Sequence, residues 1–479
     1  MSDSIDIKFT DRSNVKNKLR KLEFTDKNTF DLTIAAFELL SEMKKSKLSV
    51  IPSIKSNKSI ELYDHQIFAA MKVKNELGGS AILADEVGLG KTMEAGIILK
   101  EFLISGLAKN ILILAPPSLV YQWQDELESK FSLHFTQKDD SDYRDPASHD
   151  LLIFSHSSAV YPTAANFLKK KNWDMIIVDE AHSMKNSSTM KHKLLKELTR
   201  RFTLLLTATP IQNNLGELYN MVELIKPGTL GTFSEFKTQY ADDKQMRTLN
   251  PFFKDELQKK LSKIIIRTTR QQVKKYIKFT DRVAFTRILK PTDDERKLYD
   301  TITDKVREHY ENGFEVLYLM IIQRLISSST ESTKRALFKM KKSELLSSEE
   351  YDELMEIAAR ITIDTKTTDL KNTIREQNES KFLIFTEWRA TQDYLERVLT
   401  DAGYSVTLFH GELNLSQKAE SIERFRNDAQ IMISTSAGGE GQNFQFCSNV
   451  VNYDLPWNPM KIEQRVGRVH RIGQKNDVN

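Results

Sequence analysis

Short apolar runs, each closed by a turn signal and followed by a helical pattern, fall in two separate blocks. That doubling constrains the chain more than any other feature. The first block holds "SAILADE", "ILILAPP", "LLIFSH", "MIIVDEA" and "TLLLTATP"; the second holds "KFLIFTEW", "YSVTLFHG", "QIMISTSAGG" and "NVVNYDL". Runs this short and this apolar suit strands buried on both faces, which occur in parallel sheets covered by helices. Alternation of such strands with helices predicts an α/β fold, made twice over.

The 479 residues allow two to four domains, at roughly 150 residues each. With 40% hydrophobic and 28% charged residues, the chain can bury globular cores. No apolar run reaches the roughly 20 residues that a membrane helix requires. The opening "MSDSIDIKFTDRS" is polar throughout, so no secretory signal is expected. The single cysteine, Cys447, excludes an internal disulfide and a cysteine-cluster metal site, and suits a reducing cytoplasm. A net charge of +4, from 70 basic and 66 acidic residues, neither demands nor excludes nucleic acid.

Four regions follow from the patterning. Residues 1–55 hold an amphipathic helical segment, "KNTFDLTIAAFELLSEMKKSK", and residues 56–230 the first α/β core. Residues 231–375 read as helical insertions and linker, because "PFFKDELQKKLSKIIIRTTRQQVKKYI" and "DDERKLYDTITDKVREHYENGFEVLYLMIIQRLI" are amphipathic at helical spacing. A structureless loop of that length would not fit a compact domain. Residues 376–479 form the second core. The basic pairs and runs at Lys44–Lys45, Lys169–Lys171 and Lys341–Lys342 read as solvated faces.

"ADEVGLGKTMEAG" follows one strand and opens a helix, the context of a phosphate-binding loop. Gly88 and Gly90 would let backbone amides turn toward phosphate oxygens. Lys91 would place a positive charge on the β- and γ-phosphates, and the Thr92 hydroxyl would bind magnesium. The generic pattern wants glycine where this chain has Asp85. Asp179 and Glu180 close the strand of "MIIVDEAHSMKN"; Asp179 would hold magnesium and Glu180 would orient and deprotonate water. In "EQRVGRVHRIGQ", Gln464, Arg465, Arg468 and Arg471 recur so that the three arginines fall near one face of a helix. They read as a solvated basic face, as a phosphate-backbone contact, or as arginine fingers crossing a cleft. The second sheet block just upstream favours Arg468 and Arg471 as fingers, with Gln464 beside them.

In order, "ELYDHQ", "DEVGLGKT", "APPSLVYQW", "DEAH", "LTATPIQNN", "FLIFTEW", "STSAGGEGQNFQ" and "EQRVGRVHRIGQ" resemble the motifs of helicase superfamily two, in the wording of Swi/Snf-type ATPases. "ADEVGLGKTMEAGIIL" and "GGEGQNFQF" are nearest the RapA-like (HepA-like) bacterial and archaeal branch. The resemblance implies two tandem RecA-like domains that hydrolyse ATP with magnesium between them. It implies that Gln66 reads adenine, that Asp85 is the family's usual residue, and that His182, Thr207 and Thr209 couple nucleotide state to core movement. Pro116, Ser118, Trp123, Thr386, Ser434 and Thr435 would lie along nucleic acid. Trp457 is either a further DNA contact or a partly buried interface aromatic. Ser436 stands where many members carry arginine, and Leu455–Pro456 replaces a more polar pair. "IIIRTTRQQV" resembles the segment that bridges back toward the ATP cleft, with Arg267 structural.

Double-stranded DNA is the expected track, with translocation and displacement of bound protein the expected work. A strand-separating helicase is the nearest alternative. RNA polymerase recycling, or service as the motor beside a nuclease or defence subunit, are others. The expected location is cytoplasmic, on the nucleoid if the source is prokaryotic. "GQKNDVN" ends where the family begins another strand and a closing helix. The resemblance therefore implies a fragment or a short terminus, with the second core fraying at that edge.

Overall fold

The computed structural model describes residues 47–57, 60–137, 140, 146–208, 214–377, 380–435 and 442–479. The proposed helix near residues 28–48 falls almost wholly outside them, as do Thr209 and Ser436. Six parallel strands form the first sheet: β1 (Ala81–Leu83), β2 (Ile111–Ala115), β3 (Leu151–Ser155), β4 (Trp173–Val178), β5 (Arg200–Leu206) and β6 (Ile265–Ile266), in the order β3-β2-β4-β5-β1-β6. Four parallel strands form the second: β7 (Phe382–Thr386), β8 (Val406–Phe409), β9 (Ile431–Thr435) and β10 (Asn449–Asn452), in the order β10-β7-β9-β8.

Alternate residues of each strand feed separate cores on the two faces. Leu83, Ile111, Ile113, Leu204 and Leu206 pack on one side of the first sheet, and Ile82, Leu112, Leu114, Ile176 and Leu205 on the other. In the second sheet Phe382, Ile384, Ile431 and Ile433 divide in the same way from Leu383, Phe385 and Met432. Two-sided burial is why these runs read as continuously apolar.

β6 lies beyond the expected boundary at 230. After the helix Lys254–Leu261 the backbone leaves helical geometry, and Ile265–Ile266 pair with Ile82–Leu83 of β1. Three consecutive isoleucines suit a sheet edge better than a helix face, so the first core reaches well into the span read as insertion. Arg267 is exposed; the packed arginine of this segment is Arg270, described below.

The remaining insertion is helical as expected. Helices Asp293–Glu311, Val316–Ile326, Thr330–Lys342 and Ser348–Arg360 close around Leu298, Ile302, Leu319, Ile322, Leu337, Met340, Leu354 and Ile357. Thr292 and Ser347 cap two of them reciprocally with Glu295 and Glu350. The bundle joins the second core through a buried polar seam. Thr391 Oγ1 lies 2.7, 2.8 and 2.7 Å from the hydroxyls of Ser328, Ser329 and Ser332. Asp454 accepts from Ser328 Oγ at 2.8 Å, Thr386 Oγ1 at 2.6 Å, the Glu387 amide at 3.0 Å and Lys366 Nζ at 3.3 Å.

The expected fraying at the last residues is not observed. Val478 exchanges backbone hydrogen bonds with Asp281 and Val283, each 2.9 Å, and is buried against Val466 and Val469. Asn479 pairs with Ser448 and Val450 at 3.0 and 2.8 Å.

Removing the acceptor at the centre of the seam strands several buried donors at once. Asp454→Ala should cost about 3 kcal/mol, read as a lowered urea midpoint by tryptophan fluorescence. An unchanged midpoint would show that the seam contributes no net stability.

Candidate nucleotide site

β1 ends at Leu83, the loop Ala84–Gly90 turns, and the helix Lys91–Ile104 begins at once. Gly88 and Gly90 take φ of 88° and 96°, a left-handed backbone that side chains resist. A Cβ on Gly90 would also lie 2.6 Å from Gln66 Nε2. Gln66 is buried, receives the Tyr63 amide at 3.3 Å and donates to Leu89 O at 3.1 Å. It is thus fastened to the loop backbone. Lys91 Nζ donates to Asp85 O at 2.7 Å. Burial draws the Lys91 pKa down, against the pull of Glu180, Glu94, Asp85 and Asp179. Thr92 follows in the first helical turn.

Asp85 belongs to the same loop. It has no exposed surface, and its Oδ1 accepts from the Thr268 amide at 2.7 Å. The carboxylate thereby ties the loop to the segment after β6. Behind it sits Glu94, fully buried, its carboxyl driven well above the usual range by burial and by Asp85. Nothing in the sequence distinguished Glu94 from an ordinary first-turn acid.

Asp179 follows β4, and Glu180 adopts a left-handed φ of 45°. β5 stands between β4 and β1, so the two motifs are not on adjacent strands; Thr207, buried at the end of β5, lies between them. Asp179 Oδ2 accepts from Trp123 Nε1 at 2.8 Å and Oδ1 from the Glu180 amide at 2.8 Å. Burial and the neighbouring Glu180 raise its pKa to about 6. Burial acts on Glu180 in the same sense, but His182, 3.2 Å away, and the charges of Arg468 and Lys91 outweigh it and hold Glu180 at about 2. Glu180 is therefore ionised at neutral pH, as a base must be.

The second core supplies the opposing charge. The helix Pro459–Val466 ends at Gly467, so Arg465, Arg468 and Arg471 do not share a helical face as expected. Arg465 is buried beneath the sheet, donating to Asn452 Oδ1 at 2.8 Å and Asp454 O at 2.9 Å. Arg468 and Arg471 lie on the turn that follows. Arg471 Nε donates to Gly467 O at 2.9 Å, and burial and Arg468 lower its pKa to about 10. Glu180 and Asp179 act on Arg471 from the first core, and Arg468 acts on Glu180. Gln464 is half-buried on the last turn of the helix. A second tie crosses the cleft, from Gln442 Nε2 to Ser118 O at 2.6 Å.

Four expected nucleic-acid contacts are corrected by burial. Trp123 is 2% exposed, on the inward stripe of its helix with Val120, Leu127 and Phe131. Thr386 is enclosed on Asp454, and Ser434 is fully buried. Pro116 is buried as well. Thr435 is 6% exposed and Ser118 half-buried, the latter offering its carbonyl to Gln442. Trp457, by contrast, is 73% exposed beside Leu455 at 70%, which excludes the partly buried alternative.

Hard oxygen donors and two crowded carboxylates suit a divalent cation such as magnesium. Thr92 and Asp179 would hold it, and it would neutralise phosphate charge there.

Two known domain families match the chain: the SNF2-related domain over residues 63–368 and the helicase conserved C-terminal domain over residues 365–473. The chain belongs to the SNF2-related family of helicase-type ATPases. A Bacillus subtilis (strain 168) protein named uncharacterized ATP-dependent helicase YqhH is 38% identical over 420 residues, covering 87% of this chain and 74% of that one. RNA polymerase-associated protein RapA of Proteus mirabilis (strain HI4320) is 28% identical over 493 residues, covering 94% of this chain and 50% of RapA. The chain thus spans about half the length of RapA. The Sulfolobus solfataricus SWI2/SNF2 ATPase core in complex with dsDNA is similar at 23% identity, with 88% of this chain and 86% of that chain covered and a TM-score of 0.43. In this SNF2-related chain Lys91, Asp179 and Glu180 belong to the first core, and Arg468 and Arg471 to the second.

The indole bond makes Trp123 a support for Asp179. Trp123→Phe keeps the packing and deletes the donor, and should lower ATP turnover by roughly 10- to 100-fold. A steady-state ATPase assay at saturating magnesium checks this; undiminished turnover would remove Trp123 from the site.

Proposed function

We propose that this chain is a DNA-stimulated ATPase that translocates on double-stranded DNA and displaces or remodels protein bound there. The observation that supports the reading is the close approach of the turn bearing Arg468 and Arg471 to the loop before Lys91: a Cβ on Gly88 would lie 3.3 Å from Arg471 Cα, and one on Gly467 would lie 2.2 Å from Val87 Cγ1. Charge that develops on a transferring phosphoryl group between them would meet both cores together. Glu180 directs and deprotonates the attacking water, Lys91 draws charge from the phosphates, and the arginines stabilise the transferring group. Because both cores are needed, each turnover closes and reopens the cleft, and alternating grip advances the motor.

Duplex DNA as the track follows the family resemblance. Trp457 and Leu455, exposed on the loop after β10, are its proposed contacts on the second core, with Ser118 beside the cleft. RapA is named for its association with RNA polymerase, and displacement of protein from DNA is compatible with such a partner. Among the described residues no helix is long and apolar enough to cross a membrane.

Steady-state hydrolysis without nucleic acid, and with single-stranded DNA, duplex DNA or RNA, tests the proposal. Duplex should stimulate most, and Glu180→Gln should lose about 10²–10⁴-fold while still binding ATP. Stimulation by single strands alone would favour strand separation, and a rate indifferent to every nucleic acid would overturn tracking.

A further inference from the structure

The segment after β6 carries an arginine that the motif pattern left unassigned. The Arg270 amide donates to Oε2 of Glu86, within the phosphate loop, at 2.9 Å. Its guanidinium reaches both cores. Nη2 donates to Val87 O at 2.9 Å and to His470 O at 2.6 Å, and Nη1 to His470 Nδ1 at 2.6 Å. The plane lies over the Phe279 ring, 5.4 Å from its centroid. A rigid fork with several donors suits three fixed acceptors.

His470 is arranged to receive it. Because Nδ1 accepts, the ring proton sits on Nε2, which donates to Thr280 O at 3.0 Å. Burial and the Arg270 charge lower the His470 pKa, with Arg282 acting in the same sense and Glu463 opposing it. The ring is therefore neutral as an acceptor. The loop and the turn also touch through glycines. A Cβ on Gly88 would lie 3.0 Å from both Arg270 Nη2 and His470 O, and 3.3 Å from Arg471 Cα. A Cβ on Gly467 would collide with Val87.

We propose that Arg270 is a positioning residue for hydrolysis, a strut that holds the turn bearing Arg468 and Arg471 at a fixed height above the phosphate loop. Arg471 is the next residue after His470, so a shift of the turn carries the finger with it. The strut acts through the fingers and touches no reacting atom. A misplacement of about 1 Å can cost 10²-fold in rate.

The inference rests on the ATPase reading of this cleft, so wild-type turnover is measured first; its absence would strike that reading and not the strut. ATP is then titrated, at saturating duplex DNA, into Arg270→Ala, Arg270→Lys, His470→Ala and the Arg270→Ala/His470→Ala pair, and each is melted. Arg270→Ala should lose roughly 10²-fold in kcat with KM within about threefold and an unchanged melting midpoint. Arg270→Lys should recover part of the rate. The double variant should be no slower than the slower single, because the two residues form one connection. Wild-type kcat in Arg270→Ala, a loss confined to KM, or losses that multiply in the double variant would each overturn the proposal. Should Arg270→Ala fail to fold, Arg270→Lys decides, since it keeps the stem and charge but not the fork; wild-type kcat there overturns the strut.

Discussion

The cleft depends on a balance of desolvated charge. Asp179 and Glu180 stand side by side after the C-terminal end of β4, an interior strand of the first sheet, and burial acts against the ionised form of both. Lys91 from the phosphate loop, and Arg468 and Arg471 from the other core, supply the compensation. Charges taken out of water interact strongly with one another and poorly with everything else.

Around that balance the structure invests in fixing position. Trp123 holds Asp179, His182 holds Glu180, and Asp85 braces the loop against the segment after β6. None of these groups has to touch nucleotide to matter, because electrostatic stabilisation works when the groups are already in place. The helical insertion is tied to the second core by hydroxyls converging on Thr391 and Asp454. A seam of directional bonds fixes the orientation of the bundle on that core more closely than apolar packing would. Arg465 donates to Asp454 O from the helix that leads into the turn bearing Arg468 and Arg471, which links that turn to the seam.

Much of this architecture is legible in the amino-acid sequence. Apolar runs of strand length appear as strands in both sheets, because burial on two faces leaves no polar alternation to hide them. Lys91, Thr92, Asp179 and Glu180 are where strand-to-helix context places them. The errors have a common origin. The β6 isoleucines sit between helical patterns, and only their pairing with β1 shows that they are a strand. Trp123, Thr386 and Ser434 belong to motifs that flank nucleic acid in the family, but the side chains themselves point into the protein. Motif membership locates a backbone segment, while the direction of each side chain depends on what packs against it.

The sequence by itself determined the two parallel sheets, the phosphate loop and the acidic pair, because each rests on local rules: strand burial, left-handed glycines, and a carboxylate at a strand end. Only the tertiary structure decided which arginine joins the cores. Arg267 and Arg270 are three residues apart and equivalent in pattern, yet one is exposed and the other meets Val87 and His470. The partners of Arg270 lie 183 and 200 residues away. No periodicity spans such a distance, and the contact exists only once both sheets have folded and faced each other.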